Sequence, residues 1–157
     1  MKEKEIVINN CYGGFSLSPL AIKEWAKLKN KECYFFLNDF VTDTFIPITM
    51  QEANKTILFY TFSVPNPNEV LKLPVKIEDK LNFNSEYNKK YESINIWDSK
   101  IPRDDKDLIA VVKKLGTKKA SGKCAELKIV KIPADVDWEI EEYDGLEWVS
   151  EKHRTWK

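Results

Sequence analysis

The stretch that decides the fold is AELKIVKIPADVDWEIEEYDGLEWVSE, residues Ala125–Glu151. Its first part, Ala125–Pro133, alternates around Leu127 and Ile129, the period-2 pattern of a half-buried strand. Two more β-rich runs follow, Trp138–Tyr143 and Leu146–Glu151, separated by Asp144-Gly145. Asp-Gly is a favoured central pair for a type I′ turn, whose twist matches that of the strands it joins, so the spacing predicts a hairpin. The chain therefore ends in a β-meander.

Upstream of the meander, Leu108, Ile109, Val112 and Leu115 recur at helical spacing. Asp104 or Asp105 is placed to cap this helix. Lys113 and Lys114 fall in its last turn and Gly116 at its C′ position. Thr117–Lys123 reads as a polar loop with Ser121-Gly122 as its turn signal. At the opposite end of the chain, Glu5–Asn9 (EIVIN) reads as a strand, and Asn10–Ser16 (NCYGGFS) breaks it with a glycine pair. Ser18 then serves as an N-cap with Pro19 at the first helical position, and Leu17 and Ile22 stand as a hydrophobic staple. Ala21, Ile22, Trp25 and Ala26 give that helix one apolar stripe as far as about Lys29.

Between these ends, Cys33–Leu37 and Thr56–Val64 read as strands, and Thr44–Thr49 as an extended segment that Pro47 confines to a sheet edge. Asn66–Lys100 is polar and weakly patterned, which predicts surface loop with a short helix around Ser85–Tyr91. The order β-α, strands, α, meander predicts an α+β fold: a mixed, mainly antiparallel sheet, two main helices and a C-terminal β-hairpin, in one domain over residues 1–157.

Composition agrees with a packed domain. Hydrophobic residues make up 43% of 157, enough for a core without a metal or disulfide staple. No apolar run approaches the ~20 residues that span a bilayer, and the charged N-terminus lacks an apolar stretch behind it, so no membrane partner and no secretory signal are expected. Three widely spaced cysteines, Cys11, Cys33 and Cys124, point to free thiols in a reducing compartment. A formal net charge of zero disfavours a general nucleic-acid binder. The charge is nonetheless segregated: Arg103–Lys131 is basic, and Asp135–Glu151 holds eight acidic residues and no basic one. Only Arg103 and Arg154 are arginines among 25 basic residues, which marks them as candidates for planar, forked recognition.

Four groups of residues could carry chemistry. The loop Asn10, Cys11, Tyr12, Gly13, Gly14, Phe15, Ser16 leads into a helix N-terminus and could present backbone N–H groups to a phosphate or carboxylate, although it is neither a Walker loop nor a dinucleotide fingerprint; the plainer reading is a tight βα turn. The tail offers His153, Arg154 and Trp156, a fork and a stacking ring, or else a C-terminal anchor. Arg103 is a second anion contact, or else a salt-bridge partner of Asp104 or Asp105. The acidic hairpin carries Asp137, Glu139 and Glu141 on one face, usually the solvated side of such a sheet. Cys11 with His153 could make a nucleophile pair, but no catalytic signature accompanies them and no close ligand pair of the C-x-x-C kind supports a metal. No catalytic residue, cofactor or metal is therefore expected.

The opening INNCYGGFSLS (Ile8–Ser18) and the ending EEYDGLEWVSEKHRTW (Glu141–Trp156) resemble a family of small, mostly uncharacterised bacteriophage and prophage proteins. Arg103–Pro133 is similar in kind, whereas the middle, about 32–101, does not share the resemblance and reads as a family-specific insertion. The resemblance implies a cytoplasmic location in an infected or lysogenic bacterial host, where small accessory proteins often act on host enzymes or immune signals. Three functions follow as expectations. The first is a non-catalytic protein binding a small anionic, nucleotide-like ligand through the loop, Arg103 and the tail, sequestering a host defence signal. The second is an inhibitor that covers a host enzyme with its acidic hairpin. The third is a small enzyme using Cys11 or His153. A homo-oligomer is compatible with all three. In the first, the loop and the tail must lie together.

Overall fold

The computed structural model describes residues 1–71, 76–153 and 156. Its elements in chain order are β1 (Glu3–Asn9), α1 (Pro19–Leu28), β2 (Tyr34–Asp39), β3 (Thr44–Ile48), α2 (Met50–Lys55), β4 (Tyr60–Phe62), α3 (Pro67–Leu71), α4 (Ile77–Leu81) and α5 (Glu86–Ile94). A 3-10 turn at Asp98–Lys100 precedes α6 (Lys106–Ala120), β5 (Leu127–Pro133), β6 (Trp138–Tyr143) and β7 (Leu146–Glu151). The fold is α+β. The expected single mixed sheet is instead three small ones, β1-β5, β3-β2-β4 and β6-β7, and every strand pair among the described residues is antiparallel. Packing divides the chain into two compact units, one formed by Met1–Trp25 with Asp98–Lys157 and the other by Ala26–Trp97.

The discontinuous unit is built on β1. Ile6, Val7 and Ile8 are buried, and β1 pairs with β5 from Glu3↔Pro133 to Asn9↔Leu127. Against this ladder lies α6, whose Leu108, Ile109 and Val112, expected from spacing, are buried together with Val111, while Leu115 is half-buried. Its cap is Asp105, which accepts from the Leu108 N–H at 2.8 Å. Gly116 has φ 78° and ψ 164°, a positive-φ conformation open to glycine but not the αL one of a C′ position, and the chain does not leave as a loop there. A second helical piece runs on to Ala120, and its end receives the start of α1: the Ser18 N–H donates to the Ala120 carbonyl and the Ser18 hydroxyl to that of Lys119, while the same hydroxyl oxygen caps the Ala21 N–H. The predicted polar loop from Thr117 is thus partly helix, held in place by the cap of α1.

The contiguous unit has an aromatic core. Phe36, Phe45, Phe62, Leu71 and Ile94 form it, and Tyr34, Tyr60, Tyr87 and Tyr91 pack around them. Phe62 meets Phe36, Phe45 and Tyr91 edge to face, with ring centroids 5.5, 4.7 and 5.6 Å away. Burial pushes the Tyr91 hydroxyl up to about 12. β3 is an edge strand, as Pro47 requires. Two expectations fail here. Strand character in Thr56–Val64 is confined to Tyr60–Phe62, because α2 ends at Thr56 and the Thr56 hydroxyl closes a local turn on Leu58. The polar tract from Asn66 is not mainly loop: besides the short helix expected near Ser85–Tyr91, which is α5, it holds α3 and α4, and α5 delivers Tyr87 and Tyr91 to the core from one face, four residues apart. Helix α2 was not among the expected elements; it opens on a capping box in which Thr49 and Glu52 bond reciprocally.

Candidate functional site

The site expected at the Asn10–Ser16 loop is a junction of four chain segments within the discontinuous unit, and Asn9 is its hub. Asn9 is fully buried at the end of β1. Its amide nitrogen donates to the carbonyls of Cys11 and Gly145, each at 2.7 Å, and its amide oxygen accepts from the Glu126 N–H at 2.8 Å. Its backbone N–H donates to Glu147 Oε2 at 2.8 Å. One side chain thereby ties β1, the loop after it, the approach to β5 and the hairpin turn, with its amide nitrogen and oxygen both hydrogen-bonded.

The turn itself follows the Asp-Gly reading. Asp144 (φ 50°) and Gly145 (φ 88°) both have positive φ, and the register from Tyr143↔Leu146 to Trp138↔Glu151 is unbroken. A Cβ on Gly145 would lie 2.5 Å from the Gly14 nitrogen and 2.7 Å from the Tyr12 carbonyl oxygen. On the other side, a Cβ on Gly13 would fall 1.6 Å from the Cys124 carbonyl oxygen. The glycines here let protein backbones approach one another.

Arg103 is likewise engaged within the protein. Its two terminal nitrogens donate to the two Glu147 oxygens at 2.7 and 2.9 Å, a forked pair with side chains only 17% and 8% exposed. It also donates to the Val7 carbonyl at 3.3 Å, and the guanidinium carbon lies 3.4 Å from the Phe15 ring centroid. The fork expected of a rare arginine is present, but it grips a carboxylate of the hairpin. Neither Asp104 nor Asp105 is the partner: Asp105 caps α6 and accepts from Trp25 Nε1.

The remaining predicted residues are dispersed. Asn10 is exposed and joined to Glu126 through its backbone N–H and its side chain. The Cys11 thiol donates to the Cys124 carbonyl at 3.3 Å. Tyr12 is 65% exposed. The Ser16 carbonyl accepts from Gly122. The tail leaves from the other end of the hairpin, where the Lys152 N–H donates to the Asp137 carbonyl. Six residues of β7 separate that point from the turn on which the loop rests, roughly 20 Å at the rise of a strand. The loop and the start of the tail are therefore apart, because the hairpin spaces them. His153 and Trp156 are exposed, and Arg154 lies outside the described residues.

The hairpin has two unlike faces. Trp138, Ile140, Glu147 and Val149 share the inner one. The outer one carries Glu139, Glu141 and Tyr143 beside Trp148 and Ser150. Glu141 accepts from the Ser150 hydroxyl at 2.6 Å and from Trp148 Nε1 at 2.8 Å; these two bonds, with the neighbouring His153, hold its carboxyl below the usual range. Tyr143 is 71% exposed. A cavity of about 380 Å³ opens elsewhere on the unit, lined by Lys4, Lys106 and Lys131 with Glu3, Glu5 and Asp104, and it includes none of Asn10–Ser16. Among the described residues no group of three or more His, Cys, Asp or Glu side chains is gathered to hold a metal, and no helix is long and apolar enough to cross a membrane.

Sequence reasoning missed Asn9 and Glu147. Glu147 was legible in principle, since alternation places it on the Val149 side of the hairpin, where a carboxylate needs a cationic partner and Arg103 was at hand. Comparison with known proteins adds nothing to the geometry: no protein-family model, curated protein or solved structure matches the chain.

Proposed function

We propose that the protein is a non-catalytic binding protein that docks the outer face of its C-terminal hairpin on a basic surface of a partner protein. The observation that carries this is the composition of that face: Glu139 and Glu141 stand exposed beside the aromatic rings of Tyr143 and Trp148 on a rigid strand pair. Aromatic anchors flanked by carboxylates suit a lysine- or arginine-rich surface, with the charges steering encounter and the rings supplying burial. Glu141 is already oriented by Trp148 and Ser150, so little side-chain freedom is lost on docking. The resemblance to phage proteins makes a bacterial host enzyme the natural partner, met in the host cytoplasm.

A second reading, a small nucleotide-like anion held by the Asn10–Ser16 loop, draws on one observation. Gly14 has open space where a side chain would stand, and Tyr12 beside it offers an exposed ring. That reading lacks the Arg103 fork, which Glu147 occupies. Native mass spectrometry of protein purified from infected bacterial cells separates the two. Docking predicts a retained protein partner, lost at high salt and with Glu139→Lys/Glu141→Lys, and retained with Tyr12→Ala. A retained species of nucleotide mass that disappears with Tyr12→Ala would replace this proposal with the second reading.

A further inference from the structure

We infer that Cys11 and Cys124 form a reversible disulfide under oxidising conditions, a redox-sensitive staple across the discontinuous unit. The two residues are 113 positions apart in sequence, yet the Cys11 thiol touches the Cys124 backbone, 3.3 Å from its carbonyl oxygen. They are brought together by the β1–β5 ladder. The last rung is Asn9↔Leu127, and the Asn10 N–H extends it by donating to the Glu126 carbonyl at 2.7 Å. Cys11 and Cys124 follow just beyond, on the two sides of the ladder and offset by one residue, since the continued register sets Cys11 across from Ala125 and Cys124 across from Tyr12. The Cys124 side chain is near as well: its Cβ lies 3.0 Å from the position a Cβ on Gly13 would take. The unit gathers these two cysteines, while Cys33 belongs to Ala26–Trp97.

The chemistry needs an external disulfide such as oxidised glutathione. Cys124 is exposed and Cys11 is half-buried, so Cys124 is the entry point. Its thiol gives a proton to solvent and the thiolate attacks one glutathione sulfur; the Cys124–glutathione bond forms and a glutathione thiolate leaves and takes up a proton. Cys11 then loses its proton, attacks Cys124 Sγ, and expels the second glutathione. The protein is oxidised by two electrons and one glutathione disulfide is reduced to two thiols. The bridge would join the N-terminal and C-terminal segments of the unit and close a loop that contains all of Ala26–Trp97. The long closed loop is the case in which a cross-link most restricts the unfolded chain.

The full chain equilibrated with oxidised and reduced glutathione, acid-quenched, alkylated and digested without reductant tests this. The expected result is a Cys11–Cys124 cross-linked peptide, alkylation at Cys33 alone, and a melting temperature several degrees higher, all reversed by dithiothreitol. Cys11→Ser and Cys124→Ser should each abolish the cross-link, and Cys33→Ser should leave it intact. A stable glutathione adduct on Cys124 with Cys11 still alkylated, or a dimer joined through Cys124, would overturn the inference.

Discussion

The two antiparallel hairpins of this chain are held in place by opposite means. The β6–β7 hairpin is fixed by polar contacts: the Arg103–Glu147 fork, the Asn9 hub, and the packing of Gly145 on Tyr12 and Gly14. The β2–β3 hairpin is fixed by aromatic burial, with Phe36 and Phe45 in the core of the contiguous unit, while Phe40 and Val41 at its tip stand 76% and 95% exposed. Polar fixation is specific in direction and brittle, because removing one partner leaves the other buried and unsatisfied. Aromatic fixation is sensitive to volume, because a truncated ring leaves a cavity. The comparison also explains why the β6–β7 outer face is free to be acidic: its position does not depend on what that face contains.

The largest effects should come from breaking each hairpin at its own anchor. Phe62→Ala opens a cavity among three edge-to-face rings and should cost about 3–5 kcal/mol. Glu147→Ala strands a largely buried guanidinium and an Asn9 N–H, and should cost a similar ~3–5 kcal/mol. Urea denaturation gives the magnitudes and hydrogen exchange the location. Phe62→Ala should expose amides of residues 34–62, and Glu147→Ala those of β1 and residues 138–151. If either variant loses protection evenly along the chain, the contrast between the hairpins does not hold.

A smaller effect sharpens the polar side. Gly145→Val forces a β-branched residue to a φ of 88° and drives its Cβ into the Gly14 and Tyr12 backbone. Backbone strain alone should destabilise by about 1–3 kcal/mol, with Gly145→Ala milder. Equal stability of wild type and Gly145→Val would mean that the turn does not rest on the loop as described. The smallest effect is electrostatic and concerns Glu141. Its pKa is depressed in the fold, so its bonds to Ser150 and Trp148 contribute above the unfolded carboxylate pKa and are lost as pH falls through the lower folded value. Side-chain carboxyl NMR should show Glu141 titrating below the usual range of a glutamate, and Ser150→Ala should raise its midpoint. A Glu141 midpoint unmoved by Ser150→Ala would break that assignment.

Much of the fold was legible where local chemistry and tertiary packing agree. Asp144-Gly145 names its own turn, Ser18-Pro19 its own helix start, and Asp105 with the apolar stripe of α6 its own face. The contiguous unit was less legible because its helices are short and polar and draw their stability from a few tyrosines placed by tertiary contacts, a signal that composition hides. The junction was half legible. The glycine pair and the rare arginine were marked as special positions, correctly in a geometric sense, but a sequence does not say whether a forked arginine faces a ligand or a carboxylate 44 residues away. Long-range partners such as Asn9 with Gly145, 136 residues apart, have no local signature.

The discontinuity of the unit built on β1 also sets an order of events during synthesis. Among the described residues β1 has a single strand partner, and its rungs join Glu3–Asn9 to Leu127–Pro133. At about 5–20 residues per second, a ribosome needs on the order of ten seconds after making β1 before that partner exists. Through that interval Ile6, Val7 and Ile8, all buried in the finished protein, have no strand to cover them. The contiguous stretch Ala26–Trp97 waits for nothing downstream and can condense while the rest is still being made. The nascent chain therefore carries an uncovered apolar edge until Leu127–Pro133 has been made, the stage at which a chaperone, or its absence, would matter most.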